Sequence, residues 1–196
     1  MSNELTISDI ADTRAYERER PDFRSHVIAL KKQRRIHVGE IITMIFENRD
    51  TMRFQIQEMA RVEKFSSDEK IEDELKIYNE LIPTRNELKA TLLIELVNDE
   101  ELREWLPKLP GIQNHIHLLF GEMKVTAYEP NEERLSKEDE ITTTVHYMNF
   151  PFTDEQRDAF LEVQEGASIS IDHPHYVRSV KLSVETIKQL QGDLEG

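Results

Sequence analysis

Apolar residues recur with two different periods along this chain, and each change of period marks a change of element. The helical period comes first. Residues 9–20 read as one helix, and Pro21 then suits the first turn of a second, where a missing N–H costs nothing. Phe23, Val27 and Leu30 share a face of that second helix. Its end carries Lys31, Lys32, Arg34 and Arg35, cations that either complement the helix dipole or form a small anion patch.

β-branched residues over 36–47 predict strand, broken into two pieces at Gly39. Helices follow over 50–65, with Met52, Ile56 and Met59 on one stripe, and after the capping-box pattern Ser66-Ser67-Asp68-Glu69. Ile71, Leu75 and Tyr78 mark the buried side of the latter before Pro83 stops it. Alternation over 88–97 is the clearest strand pattern. Asn98 caps a short helix bearing Leu102 and Trp105, and strands at 115–120 and 124–128 flank a Gly121-Glu122 hairpin turn. Residues 131–140 are charged and apolar-poor, as in an exposed loop or loose helical turn. A strand over 142–150, a helix opened by Thr153 and Gln156, strands over 168–172 and 177–182, and a closing helix over 183–191 complete the chain. Several hairpins and few strand–helix–strand repeats predict an α+β fold, a mainly antiparallel sheet packed with several helices. One domain over 1–196 is expected, with 1–35 a helical N-terminal segment and 36–196 the α+β body.

Composition narrows the function classes. A net charge of −14 opposes general binding to nucleic acid or to an anionic membrane surface. The start, MSNELTISDIADTRAY, lacks the basic and apolar regions of a secretory signal, and no apolar run is long enough to span a bilayer. A cytoplasmic protein is the expectation. With no cysteine, imidazole and carboxylate are the strong side-chain ligands on offer to a transition metal.

That directs attention to the histidines. His115 and His117 share a strand face with Leu119, opposite the apolar face of Ile116, Leu118 and Phe120. Two-residue spacing lets both imidazoles reach one ion, or it is simply the polar side of a half-exposed strand. His146 lies on a strand whose faces are not distinguished by polarity. His173 falls in phase with Ile169 and Ile171, beside Asp172 and the rigid Pro174, with His175 beyond. If they converge, His115, His117, His146, Asp172, His173 and His175 make a candidate site for zinc, iron or manganese. They match no standard metal motif, and the chain also lacks the nucleophile-elbow and glycine-rich phosphate signatures.

A second constellation is Arg49, Arg53, Gln57 and Arg61, one residue in four and therefore one stripe on a helix. It predicts either an arginine–carboxylate network or a pocket for an anionic small molecule. Glu47, Glu58 and Glu95 are the candidate carboxylate partners and acid/base groups.

The segments Tyr16-Glu17-Arg18-Glu19-Arg20-Pro21-Asp22-Phe23-Arg24, Phe46-Glu47-Asn48-Arg49-Asp50-Thr51, Gln55-Ile56-Gln57-Glu58-Met59, Tyr78-Asn79-Glu80-Leu81-Ile82-Pro83, Ala90-Thr91-Leu92-Leu93-Ile94-Glu95 and Asp172-His173-Pro174 give the chain its resemblance to a family. Across nearly its whole length it resembles an uncharacterised bacterial family, domain of unknown function thirty-five-oh-one. The resemblance implies genes beside those of rubrerythrin-like proteins and iron–sulfur oxidoreductases, and hence redox metalloproteins as partners. It implies no fold, activity or site residue. Three readings follow: an accessory or binding protein in a redox setting that takes a divalent metal, a small metal-dependent enzyme acting on an anionic small molecule, and an acidic protein-interaction module.

Overall fold

The computed structural model describes residues 3–64, 67–130 and 141–195. The N-terminal helix α1 (Thr13–Arg34) starts where Asp12 accepts hydrogen bonds from the amides of Arg14 and Ala15. It runs unbroken through Pro21, so the two expected helices are one. Pro21 and Glu17, whose carbonyl loses its helical donor, are both exposed, so the break in the hydrogen-bond ladder falls on the solvent side of the helix. β1 (Arg35–Val38) and β2 (Ile42–Phe46) form a hairpin at Gly39, followed by α2 (Arg49–Glu63) and α3 (Asp68–Asn79). Then come β3 (Glu87–Ile94), the short α4 (Asp99–Trp105), and the hairpin of β4 (Ile116–Phe120) and β5 (Met123–Thr126). β6 (Val145–Pro151), α5 (Asp154–Leu161), β7 (Ser168–His173), β8 (Tyr176–Lys181) and α6 (Val184–Glu195) close the chain. The expected loop or loose turn over 131–140 lies outside the described residues.

The fold is α+β, with two antiparallel sheets where the pattern suggested one. The strand orders are β1-β2-β3-β6 and β5-β4-β7-β8. Their apolar faces form one core: Val38, Met44, Phe46, Leu88, Leu92 and Phe150 from the first sheet, and Ile116, Leu118, Ile169 and Ile171 from the second. Leu190 and Leu194 of α6 complete that core. At one margin the backbones of Tyr128 and Asn149 exchange hydrogen bonds across the sheets. At the other, the Tyr176 hydroxyl donates to the Val38 carbonyl at 2.7 Å. A smaller cluster of Leu5, Ile10, Met52, Ile56, Leu75 and Ile82 seats α2 and α3 against the N-terminal segment.

The cationic end of α1 does not present all its charge to solvent. Arg34 is fully buried and donates to the carbonyls of Phe46 (2.9 Å) and Glu47 (3.1 Å) and to Gln189 (3.3 Å). It also pairs with Asp193 of α6. The C-terminal helix is thereby tied to the end of β2.

Candidate functional site: a histidine–carboxylate face

Register brings one sequence-predicted set together. Ile116 pairs with Ile171 and His117 with Ser170, because both strands must turn their isoleucines into the shared core. This places Asp172 beside His115. The His115 Nδ1–H donates to Asp172 Oδ1 at 3.0 Å. Oδ2 of the same carboxylate lies 3.0 Å from His117 Nε2, and Lys124 Nζ is 3.8 Å from it. The His117 contact has the distance of a hydrogen bond but not its direction, so Nε2 remains a buried polar atom without a directed partner. His117 Nδ1 meets the Thr126 hydroxyl at 3.1 Å. The two imidazoles hold the Asp172 carboxyl below the ordinary aspartate range, His115 contributing most.

His115 differs from the other site histidines in being half-open. Its side chain is 38% exposed, and its Nε2 takes no hydrogen bond among the described residues. His117, by contrast, is 5% exposed although it points away from the sheet's apolar face.

His173 and His146 have both ring nitrogens engaged. His173 Nε2 donates to the Pro110 carbonyl at 3.1 Å, which leaves Nδ1 to accept from the His175 amide at 3.3 Å. That fixes a neutral tautomer, and burial pushes the His173 imidazole below its usual titration range. His173 packs edge-on against His115 and beside the exposed His175. His146 is wholly buried on the first sheet, with Nδ1 at 2.8 Å from Glu129 Oε2 and Nε2 at 3.0 Å from the Thr142 hydroxyl. Among the described residues, no group of three or more His, Asp or Glu side chains is arranged to hold a metal ion.

The arginine stripe is an ion-pair ladder. Arg49 pairs with Asp9 (2.6 Å), Arg53 with Glu19 (2.6 Å) and the Asp9 carbonyl (2.7 Å), and Arg61 with Glu17 (2.6 Å). Gln57 bonds both backbone groups of Ala11. The carboxylates come from α1 and the segment before it, where Glu47, Glu58 and Glu95 had been expected to supply them. Glu58 is gripped by Nε and Nη2 of Arg20 and by the Tyr16 hydroxyl. Glu47 is buried and accepts from the Thr51 and Thr91 hydroxyls, each at 2.7 Å. Glu95 accepts from Thr43 (2.6 Å), whose oxygen also meets His37 Nδ1.

Sequence reasoning passed over Lys124 and Thr126. Their place was recoverable, because the two-residue turn with Gly121 at φ +55° sets Leu119 opposite Lys124 and His117 opposite Thr126. Glu129 as the partner of His146 carried no comparable local signal.

No helix of the described residues is long and apolar enough to cross a membrane. No curated protein matches the chain. A crystal structure of a protein of unknown function from Burkholderia pseudomallei K96243 is 33% identical, with 97% of this chain and 98% of that one covered and a TM-score of 0.87. The model of the family described as protein of unknown function (DUF3501) matches residues 4–194. The chain therefore belongs to the DUF3501 family.

Proposed function

We propose that the protein is a cytosolic small-molecule-binding protein whose site is the His115–Asp172–His117 group, with His115 as the proton-carrying residue. The observation that carries this reading is the directed bond from His115 Nδ1 to Asp172, which leaves Nε2 unbonded on a half-open ring. A carboxylate on Nδ1 fixes the tautomer and stabilises the imidazolium that forms when Nε2 takes a proton. Such a pair can activate a water or a ligand hydroxyl. The test is a turnover screen of small esters and phosphoesters on wild type, His115→Gln, Asp172→Asn and the control His26→Gln. Loss of about 100-fold in His115→Gln, within the range for general acid–base catalysis, is expected. Activity equal in His115→Gln and wild type overturns the reading.

A second reading is favoured by the shared carboxylate and the undirected His117 Nε2. Two imidazoles and one carboxylate are a donor set for zinc, iron or manganese. Asp172 would have to rotate outward to admit the ion, and its 51% exposed side chain has room to do so. This reading fits an accessory role beside redox metalloproteins, as the family resemblance implies. Stoichiometric metal in protein purified without chelator, lost in Asp172→Asn, supports it; metal-free protein that ignores added cobalt(II) removes it.

A further inference from the structure

The outer face of the second sheet differs in charge from the rest of the molecule. The chain carries 39 acidic and 25 basic residues. Strand pairing puts His117 in a row with Thr126, Ser170 and Ser179, and the next row carries Lys124, Leu119, Ser168 and Lys181. Among the outward positions of these four strands, Asp172 is the only carboxylate, and it is already engaged by His115, His117 and Lys124. Both lysines are exposed; among the described residues Lys124 meets no carboxylate but Asp172, and Lys181 meets none. The buried Nε2 of His117 lies in the same face without a directed partner.

We infer that this face binds a small oxyanion, the phosphoryl or carboxylate group of the ligand on which His115 acts. Lys124 and Lys181 supply charge from opposite edge strands, and the hydroxyls of Ser168 in their row and of Ser170 and Ser179 in the adjoining row supply donors. In a protein of net charge −14, such a face also gives an anion one favourable landing place. The anion site named for the arginine stripe is thus relocated: those guanidiniums are held by carboxylates at 2.6 Å, whereas Lys124 has Asp172 only at 3.8 Å and Lys181 has no carboxylate partner among the described residues.

The inference rests on the His115 reading, and the experiment separates the two. Amide and side-chain NMR shifts are followed while inorganic phosphate, and separately malonate, is titrated into wild type, Lys124→Ala/Lys181→Ala and His115→Gln. Saturable shifts at Lys124, Ser170, Ser179 and Lys181 are expected from at least one anion, weakened 10-fold or more in the double lysine variant and retained in His115→Gln. Which anion binds more tightly identifies the group. Absence of saturable shifts from both anions, shifts confined to other surfaces, or unchanged affinity in the lysine variant each overturn the anion site and leave the proton-transfer reading standing. Anion binding retained alongside turnover that survives His115→Gln has the opposite consequence.

Discussion

Replacing Arg34 with methionine should be among the most damaging single changes in the protein. The substitution keeps most of the side-chain volume and removes a guanidinium that has no exposure to water. It strands the carbonyls of Phe46 and Glu47, Gln189 Oε1, and the Asp193 carboxylate, which is only 10% exposed. Removing one partner of a buried pair costs about 3–5 kcal/mol, because the other charge stays buried. That is a large part of the roughly 5–15 kcal/mol holding a typical domain together. Asp193→Asn should cost less, since the amide oxygen still accepts and the guanidinium keeps its two carbonyls.

The two variants also differ in pH response. Burial pushes the Asp193 carboxyl from 3.8 up to about 6, against the opposing pull of Arg34. An acid with a raised folded value holds its proton more tightly when folded. Its contribution is fully present below pH 3.8 and is lost as pH rises through about 6. Two units correspond to roughly 3 kcal/mol at most. Urea unfolding followed by circular dichroism, on wild type and Asp193→Asn at pH 4 to 7.5, isolates this group from the other carboxylates. Asp193→Asn should be more damaging at pH 4 than at pH 7. A difference between the two proteins that is flat with pH, or that grows as pH rises, refutes the reasoning, as does Arg34→Met costing under about 1 kcal/mol, the worth of one ordinary hydrogen bond.

Further consequences can be measured in the same way. Gly39→Ala should lower stability by roughly 1–3 kcal/mol, because φ is +77° and the new Cβ would press on the Tyr176 hydroxyl and Arg178; a melting temperature equal to wild type would contradict this. His146→Leu should destabilise by about 3–5 kcal/mol by leaving Glu129 buried without its imidazole, and Glu129→Gln/His146→Leu should recover part of that loss in urea titrations. In the ladder, Arg53→Met should cost more than Arg49→Met, because Arg53 is less exposed and lies 4.5 Å from the Phe23 ring. Asp9, held at about 2 chiefly by its bond from Arg49, contributes stability that is present above pH 3.8 and lost as pH falls through about 2. Arg49→Met should flatten that acid limb by about 1 kcal/mol after solvent screening.

The outcome for each histidine shows what strand pattern can and cannot reveal. Alternation identified the outward face of His117, and the phase of Ile169 and Ile171 put His173 inward, where it is buried. Alternation within one strand says nothing about its neighbour. Asp172 reaches His115 only because β7 pairs with β4, more than forty residues earlier, in a register set by two isoleucines seeking one core. The same limit hid the division into two sheets, since each strand has local signals for its own existence but none for its partner. Pro21 misled for a different reason: a first-turn proline and an interior proline can have the same local sequence, and they differ in whether helical turns precede the ring, as they do here from Thr13. Chemistry was less legible still. An imidazole has two nitrogens, and its free valence is decided by whatever occupies them. In His173 they meet the Pro110 carbonyl and the His175 amide, and in His146 they meet Glu129 and Thr142. His115 keeps one nitrogen unbonded among the described residues and places the other on a carboxylate. The rigid His173-Pro174-His175 turn, the most conspicuous feature in the sequence, therefore buttresses the site by packing His173 against His115, and the less conspicuous histidine carries the open valence.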